Sequence, residues 1–110
     1  MIEWSRVNEL RAEIGEEDFA EVVEVFLEEV EDVTGRLRAA ADPGRLEADL
    51  HFLKGSAMNL GFAHFAMLCQ HGERMAKAGR GEEVDLREIL QGYQMSKAAF
   101  QSELATRMAG

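Results

Sequence analysis

Apolar side chains recur every three or four residues along most of this 110-residue chain, and glycine-containing turns interrupt the pattern. That spacing places the apolar side chains on one face of an α-helix. β-branched residues are sparse outside one valine-rich stretch, and no segment alternates strictly between apolar and polar residues as a half-buried strand would. The broadest stripe comprises Phe19, Val22, Val23, Phe26, Leu27, Val30, Val33 and Leu37. The pattern predicts an all-α protein.

The turns divide the chain into one short and four long helical segments. The short helix is predicted at residues 3–14. The first long helix begins near residue 18 and ends at the turn at 41–44, and the second begins at 42 and ends near 60. The last two are predicted at 62–78 and 83–107. Asp42 is the predicted N-cap of the second long helix, with Pro43 in its first turn. Four long amphipathic helices joined by short turns predict an up-down-up-down four-helix bundle with a short N-terminal helix. The length fits a single domain over residues 1–110.

Two residues are expected to mark close packing within this bundle. Gly72 falls inside the third long helix, where glycine costs about 1 kcal/mol relative to alanine. We therefore expect a neighbouring helix to approach closely at Gly72. Trp4 is expected to pack the N-terminal helix over one end of the bundle.

The net charge restricts the classes of partner. The sequence carries 12 Lys and Arg against 21 Asp and Glu, a formal net charge of −9. Nucleic acids and anionic membrane surfaces are bound by clustered basic residues, so neither is expected as a direct partner. The single cysteine, Cys69, excludes an internal disulfide and a multi-cysteine zinc site. No signal-peptide pattern and no apolar run of the ~18 residues that a membrane span needs occur, so we expect a cytoplasmic protein.

The second long helix carries polar and small residues on the face opposite its leucines. On a helical wheel His51 falls there, with Lys54 and Gly55 beside it and Met58 and Phe62 further along. Imidazole is a nucleophile near neutral pH, and a lysine one turn away can neutralise an anion bonded to the ring. A glycine beside the ring leaves space for an incoming group. The two apolar side chains suit docking by another protein.

The turn near Gly61 sets the register between this helix and the next. If the two helices form a hairpin, His51 lies level with residues 71–73, and Glu73 lies at the edge of the next helix. Glu73 is therefore predicted to accept a hydrogen bond from one ring nitrogen and to leave the other free. Gln70 and Lys77 share that edge and complete a possible docking surface with Met58 and Phe62.

Each of these residues also fits an ordinary role when taken alone. His51 and Lys54 fit solvated surface residues, and Gly55 fits a helix-packing glycine. Phe62 fits an apolar staple at the turn, and Glu73 fits an ion pair with Lys77. Their coincidence on one face favours a site. No metal site is expected, because neither His64 nor His71 has a carboxylate partner at ligand spacing.

Residues 51–61, His-Phe-Leu-Lys-Gly-Ser-Ala-Met-Asn-Leu-Gly, resemble the motif of histidine-containing phosphotransfer (HPt) domains, which reads His-x-Leu-Lys-Gly-Ser-Ala followed by Leu-Gly. The similarity extends to residues 14–19 and 25–29, which look like the first long helix of that family, and to Leu68-Cys69 with Glu73, which look like its third. One departure is Leu50, where the family usually has alanine.

The resemblance implies a four-helix bundle that is a phosphoryl carrier and not an enzyme. It implies that His51 accepts a phosphoryl group from a receiver-domain aspartate or a histidine kinase and passes it to the receiver of a response regulator. Lys54 would balance the phosphate charge, Gly55 would give the partner access, and Glu73 would orient the ring. The receiver brings the aspartate and Mg²⁺, so no cofactor is expected on this chain, which we expect to be a monomer.

Two other functions remain open at the level of sequence. The chain could be a binding module that docks a receiver or a kinase, and inhibits it, without being phosphorylated. It could also be the phosphotransfer module of a larger kinase such as a chemotaxis kinase. Because no second domain follows in the sequence, a free-standing protein is the expectation. Self-phosphorylation with ATP is not expected, because the chain has no Gly-x-x-x-x-Gly-Lys loop.

Overall fold

The helices predicted from the sequence are present in the computed structural model of the protein, which describes residues 1–109. They are α1 (Trp4–Ile14), α2 (Glu16–Ala39), α3 (Leu46–Leu60), α4 (Ala63–Lys77) and α5 (Leu86–Ala109), with a 3-10 turn at Gly81–Glu83. Each long helix packs on the next along the chain, and α5 closes the bundle against α2. The predicted all-α bundle with a short N-terminal helix is confirmed. Gly110, the last residue of the predicted domain, lies outside the described residues.

Helices α3 and α4 form the antiparallel hairpin that positions the site. Leu50 of α3 lies level with Gly72 of α4, and an added Cβ at Gly72 would stand 3.1 Å from Leu50 Cδ1 and 3.1 Å from Ile89 Cδ1. The expected close helix contact at Gly72 is therefore confirmed. Because α3, α4 and α5 meet at this point, the register between α3 and α4 is fixed by packing.

The leucine stripe of α3 is buried in the core, as its spacing predicts. Its members are Leu46, Leu50, Leu53, Ala57 and Leu60. They pack with apolar residues of the neighbouring helices, among them Phe65 and Cys69 of α4. Burying one leucine side chain contributes about 1.5–3 kcal/mol. This burial holds the opposite face of α3 toward solvent.

The N-terminal segment closes one end of the bundle over the α3–α4 turn. The backbone N–H of Glu3 donates to the carbonyl of Gly61 at 2.7 Å, and Ile2 pairs with Phe62 in an isolated β-bridge. Gly61 has a φ of +78°, and a Cβ there would stand 2.7 Å from the Glu3 carbonyl oxygen. The Trp4 ring stacks on Phe100 with centroids 5.7 Å apart. Trp4 thus packs α1 over this end, as predicted.

Two local predictions are wrong. Asp42 does not cap α3, because that helix begins at Leu46 and the Asp42 carboxylate accepts a hydrogen bond from Gly44 N–H within the preceding turn, at 2.9 Å. Phe62 is not on the surface but fully buried, at 0% exposure. The helical-wheel projection fails at Phe62 because α3 ends at Leu60 and the left-handed Gly61 redirects the chain inward.

Within residues 1–109, no helix combines the length and the apolar character that a bilayer span requires.

Candidate functional site

His51 stands on the solvent side of α3. Its neighbours Leu50 and Leu53 point into the core and are fully buried, so the helix turns the imidazole outward. The His51 side chain is 69% exposed. A partner can therefore reach the ring without any rearrangement of the bundle.

Glu73 of α4 holds one nitrogen of that ring. His51 Nδ1 lies 2.8 Å from Glu73 Oε2, and the Glu73 side chain is only 10% exposed. The contact joins the two helices of the hairpin at the register predicted from the sequence. Nearly all of the Glu73 side chain is therefore shielded from water while its carboxylate reaches the surface ring.

Lys54 completes a three-residue cluster. Its Nζ lies 2.6 Å from Glu73 Oε1, so the two carboxylate oxygens bind two different partners. The hydrogen bond from Lys54, followed by the one from His51, holds the pKa of Glu73 below its ordinary value in spite of burial. Glu73 is therefore a carboxylate at neutral pH.

The charge of Glu73 decides the tautomer of the ring. A carboxylate can only accept hydrogen bonds, so the close contact requires a hydrogen on His51 Nδ1. In the neutral ring the other nitrogen, Nε2, then carries the lone pair. Among the described residues nothing hydrogen-bonds to Nε2. Nε2 is therefore unpaired among these residues, on a side chain that is 69% exposed.

Gly55 leaves open space on the same face. A Cβ built on Gly55 would meet no atom within 4 Å. The glycine is therefore not required by packing inside the protein, unlike Gly72 at the α3–α4–α5 contact. Since a mid-helix glycine costs about 1 kcal/mol, the open space beside His51 calls for another reason.

A shallow apolar depression begins beside the cluster and runs toward the α3–α4 turn. It has a volume of about 420 Å³. Its lining consists of Lys54, Met58, Ala63, Ala66, Met67 and Gln70. Met58 and Met67 are 60% and 57% exposed, a large apolar exposure for two side chains so close to a reactive group. We call this surface the methionine face.

The methionine face overlaps the predicted docking surface only in part. Met58 and Gln70 line it as expected, whereas Lys77 is exposed further along α4 and does not line it. Phe62 is absent from it because its ring packs in the core against Phe100 and Tyr93, at 5.4 and 6.4 Å between centroids. Met67 was not predicted. Its signal is its position three residues before Gln70, on the same edge of α4.

The remaining histidines and the cysteine do not join the cluster. His64 is half-buried near Gly92, and His71 is exposed in the groove between α4 and the start of α5. Burial raises the pKa of the Cys69 thiol to about 12. Across residues 1–109, no group of three or more His, Cys, Asp or Glu side chains is arranged to hold a metal ion.

Most of the chain matches a known protein family. The family model described as "Hpt domain" matches residues 21–108, which include α3, α4 and all three members of the cluster. No curated protein and no solved structure matched the chain significantly.

Proposed function

The chain belongs to the Hpt domain family, and from that premise we propose that His51 is the residue that carries the phosphoryl group in a two-component phosphorelay. Membership of the family supports a histidine phosphotransfer role. The choice of His51 rests on one observation, the contact of its Nδ1 with the shielded carboxylate of Glu73 at 2.8 Å. Neither His64 nor His71 has such a partner among the described residues.

The proposed step is a transfer between two nucleophiles. Nε2 of His51 donates its lone pair to the phosphorus of an aspartyl phosphate on a receiver, the P–N bond forms, and the P–O bond to the aspartate breaks. The aspartate leaves as a carboxylate, and the ring becomes cationic with its hydrogen still on Nδ1. Glu73 then faces a positive ring, so its charge stabilises the phosphorylated state. The reverse step delivers the phosphoryl group to the next receiver.

Lys54 and Gly55 have supporting roles in this proposal. Lys54 keeps Glu73 ionised through its 2.6 Å contact. It is also three residues from His51 on the same helix, and residues at that spacing are neighbours on the helix surface, so its charge would offset that of a phosphoryl group on the ring. Gly55 leaves the space that the receiver's active site needs as it approaches Nε2 in line. Both roles concern positioning and charge, which dominate phosphoryl-transfer catalysis.

We propose that the partners are receiver domains of response regulators and a sensor histidine kinase, which is hybrid where it carries its own receiver. The methionine face would supply the apolar docking surface. The receiver would bring the aspartate and the Mg²⁺, so this chain would act as a monomeric carrier without a cofactor and without activity of its own.

The test is phosphotransfer from a labelled receiver. The protein is incubated with ³²P-phosphorylated receivers and the label on it is tested for lability. We expect label that is lost in acid and stable in alkali, as a phosphohistidine is, and no label on a His51→Gln variant. Label that persists on His51→Gln would contradict the assignment. Receiver binding without label on the wild-type chain would instead identify a binding module.

A further inference from the structure

Met58 and Met67 combine two properties on the methionine face. Both residues are exposed, at 60% and 57%, and both line the depression that Lys54 borders. Thioethers are oxidised by hydroperoxides, and exposure governs which methionines react. The two side chains that would meet a docking receiver are thus among the most accessible oxidisable groups of the described chain.

We propose that Met58 and Met67 are sites of reversible sulfoxidation by hydroperoxides, and that their oxidation blocks receiver docking while leaving His51 chemically competent. The inference rests on the proposed phosphotransfer function. In the reaction, a sulfur lone pair attacks the terminal peroxide oxygen, the O–O bond breaks, and the products are a sulfoxide and water or an alcohol. No other oxidant is needed.

The effect follows from the polarity of the product. A sulfoxide oxygen is a strong hydrogen-bond acceptor on a side chain that was apolar, and the depression around it is lined largely by alanine and methionine. Docking an apolar partner surface would remove water from that acceptor, and within the lining only Lys54, already bound by Glu73, and Gln70 carry a donor. Such burial is unfavourable, so we expect about a tenfold loss of transfer rate at low protein concentration.

Among the other oxidisable side chains, Cys69 is shielded and Met95 lies on another helix, whereas the exposed Met1 lies beside the α3–α4 turn, where its carbonyl accepts from His64 N–H. Met1 is common to wild type and Met58→Leu/Met67→Leu, so the comparison of the two separates its oxidation from theirs. Cys69 is fully buried, and its thiol is protonated at neutral pH. Met95 is 56% exposed, yet it lies on α5, which packs on α2 and α4 and stands across the bundle from α3. Met95 is therefore an exposed methionine that does not line the methionine face. It serves as a control for oxidation outside that face.

The experiment compares transfer before and after hydrogen peroxide, with sulfoxides located by mass spectrometry. The donor is a phosphorylated receiver that labels the untreated protein. The ratio of the two rates is measured for wild type, for Met58→Leu/Met67→Leu and for Met95→Leu, so that differences in basal rate cancel. In parallel, His51 is phosphorylated by phosphoramidate, a small donor that needs no docking surface.

We expect peroxide to slow receiver-dependent transfer about tenfold in wild type and in Met95→Leu, and to leave Met58→Leu/Met67→Leu unaffected. Phosphoramidate labelling should be equal before and after treatment, and methionine sulfoxide reductase should restore transfer. An unchanged rate in protein with both sulfoxides verified would overturn the inference. So would equal sensitivity of the double variant. If no receiver labels the untreated protein, the proposed function itself fails.

Discussion

At the scale of single residues, the site depends on one carboxylate with two partners. Glu73 accepts from His51 on one oxygen and from Lys54 on the other, at 2.8 and 2.6 Å. The first contact sets the tautomer, and the second keeps the carboxylate ionised in a shielded position. Removing the charge of Glu73 should therefore disturb the ring and the lysine together.

Replacing Glu73 by Gln tests this coupling. An uncharged amide can still contact Nδ1 but no longer stabilises the cationic phosphorylated ring or pairs with Lys54. Hydrogen bonds to charged groups contribute about 1.5–3 kcal/mol, so we expect phosphotransfer to fall at least about tenfold. ¹⁵N NMR of the histidines should show His51 losing its preference for the Nδ1–H tautomer.

The matched control is Glu88→Gln, which changes an exposed glutamate on α5. It should leave both the rate and the His51 tautomer unchanged. Wild-type behaviour of Glu73→Gln in both measurements would show that Glu73 does not set the state of the His51 ring.

At the scale of elements, α3 combines a packed face with an open one. Its buried leucines fix the helix, while Gly55 on the open face meets no atom that a Cβ would touch. Gly35 of α2 is a second mid-helix glycine with the same free space. Only Gly55 lies on the same helix as His51. Alanine variants of the two glycines therefore distinguish an effect on helix stability from an effect on partner access.

Gly55→Ala and Gly35→Ala should each raise the free energy of unfolding by about 0.5–1 kcal/mol, because alanine is the better helix former and nothing obstructs its methyl group. Only Gly55→Ala should slow phosphotransfer, since only that methyl group projects from the face of α3 that carries His51, one turn away, where a partner would approach. Urea unfolding and transfer rates measure the two effects. Equal transfer by both variants would remove Gly55 from the site.

The α3–α4 turn is the element where the position of Phe62 was mispredicted. Phe62 belongs to the core and Met58 to the surface. Phe62→Leu should lower the free energy of unfolding by about 1–2 kcal/mol through lost ring contacts, with transfer by the folded protein unchanged. Met58→Ser should have the opposite profile, slower transfer at nearly unchanged stability. If Phe62→Leu slowed transfer while Met58→Ser did not, the methionine face would not be the docking surface.

At the scale of the whole molecule, the pH dependence of stability reports on the same cluster. The folded-state pKa of Glu73 lies below its ordinary value, so the unfolded chain binds the proton more readily. The stabilisation is therefore present above the ordinary glutamate pKa of about 4.3 and is lost as the pH falls through the lower folded value. Glu31, whose pKa Lys97 lowers, has the same sign.

Unfolding by urea between pH 3 and 6 should accordingly show the free energy rising with pH. Glu73→Gln should flatten part of that rise, and the residual slope should include the contribution of Glu31. A slope identical in wild type and Glu73→Gln would mean that the carboxylate titrates alike in the folded and unfolded chains.

The helical bundle and the His51–Glu73 contact could be predicted from the sequence because both follow from local periodicity. The leucine stripe of α3 and the hairpin register were enough to place Glu73 beside His51. What escaped prediction depends on contacts distant in sequence. Phe62 is buried because Gly61 redirects the chain and the Phe62 ring then packs on Tyr93 and Phe100 of α5. The Lys54–Glu73 pair depends on the reach of a side chain between helices.

The chain has a net charge of −9, but the cluster around His51 contains a cation, Lys54, that is paired with the carboxylate of Glu73. Lys54 was expected to be available to a phosphoryl group, yet in the unphosphorylated protein its ammonium is already bound by Glu73. The charges of Lys54 and Glu73 therefore offset each other before phosphorylation, and a contact of Lys54 with phosphate requires the lysine to be shared with Glu73 or released from it.

The most direct measurement is the position of the phosphorus in the phosphorylated protein. The chain, labelled with ¹⁵N-histidine and phosphorylated by a receiver, is examined by NMR for coupling between ³¹P and the ring nitrogens. Glu73 holds Nδ1, so we predict phosphorus on Nε2 of His51 alone. Phosphorus on Nδ1 of His51, or on His64 or His71, would contradict the proposed site.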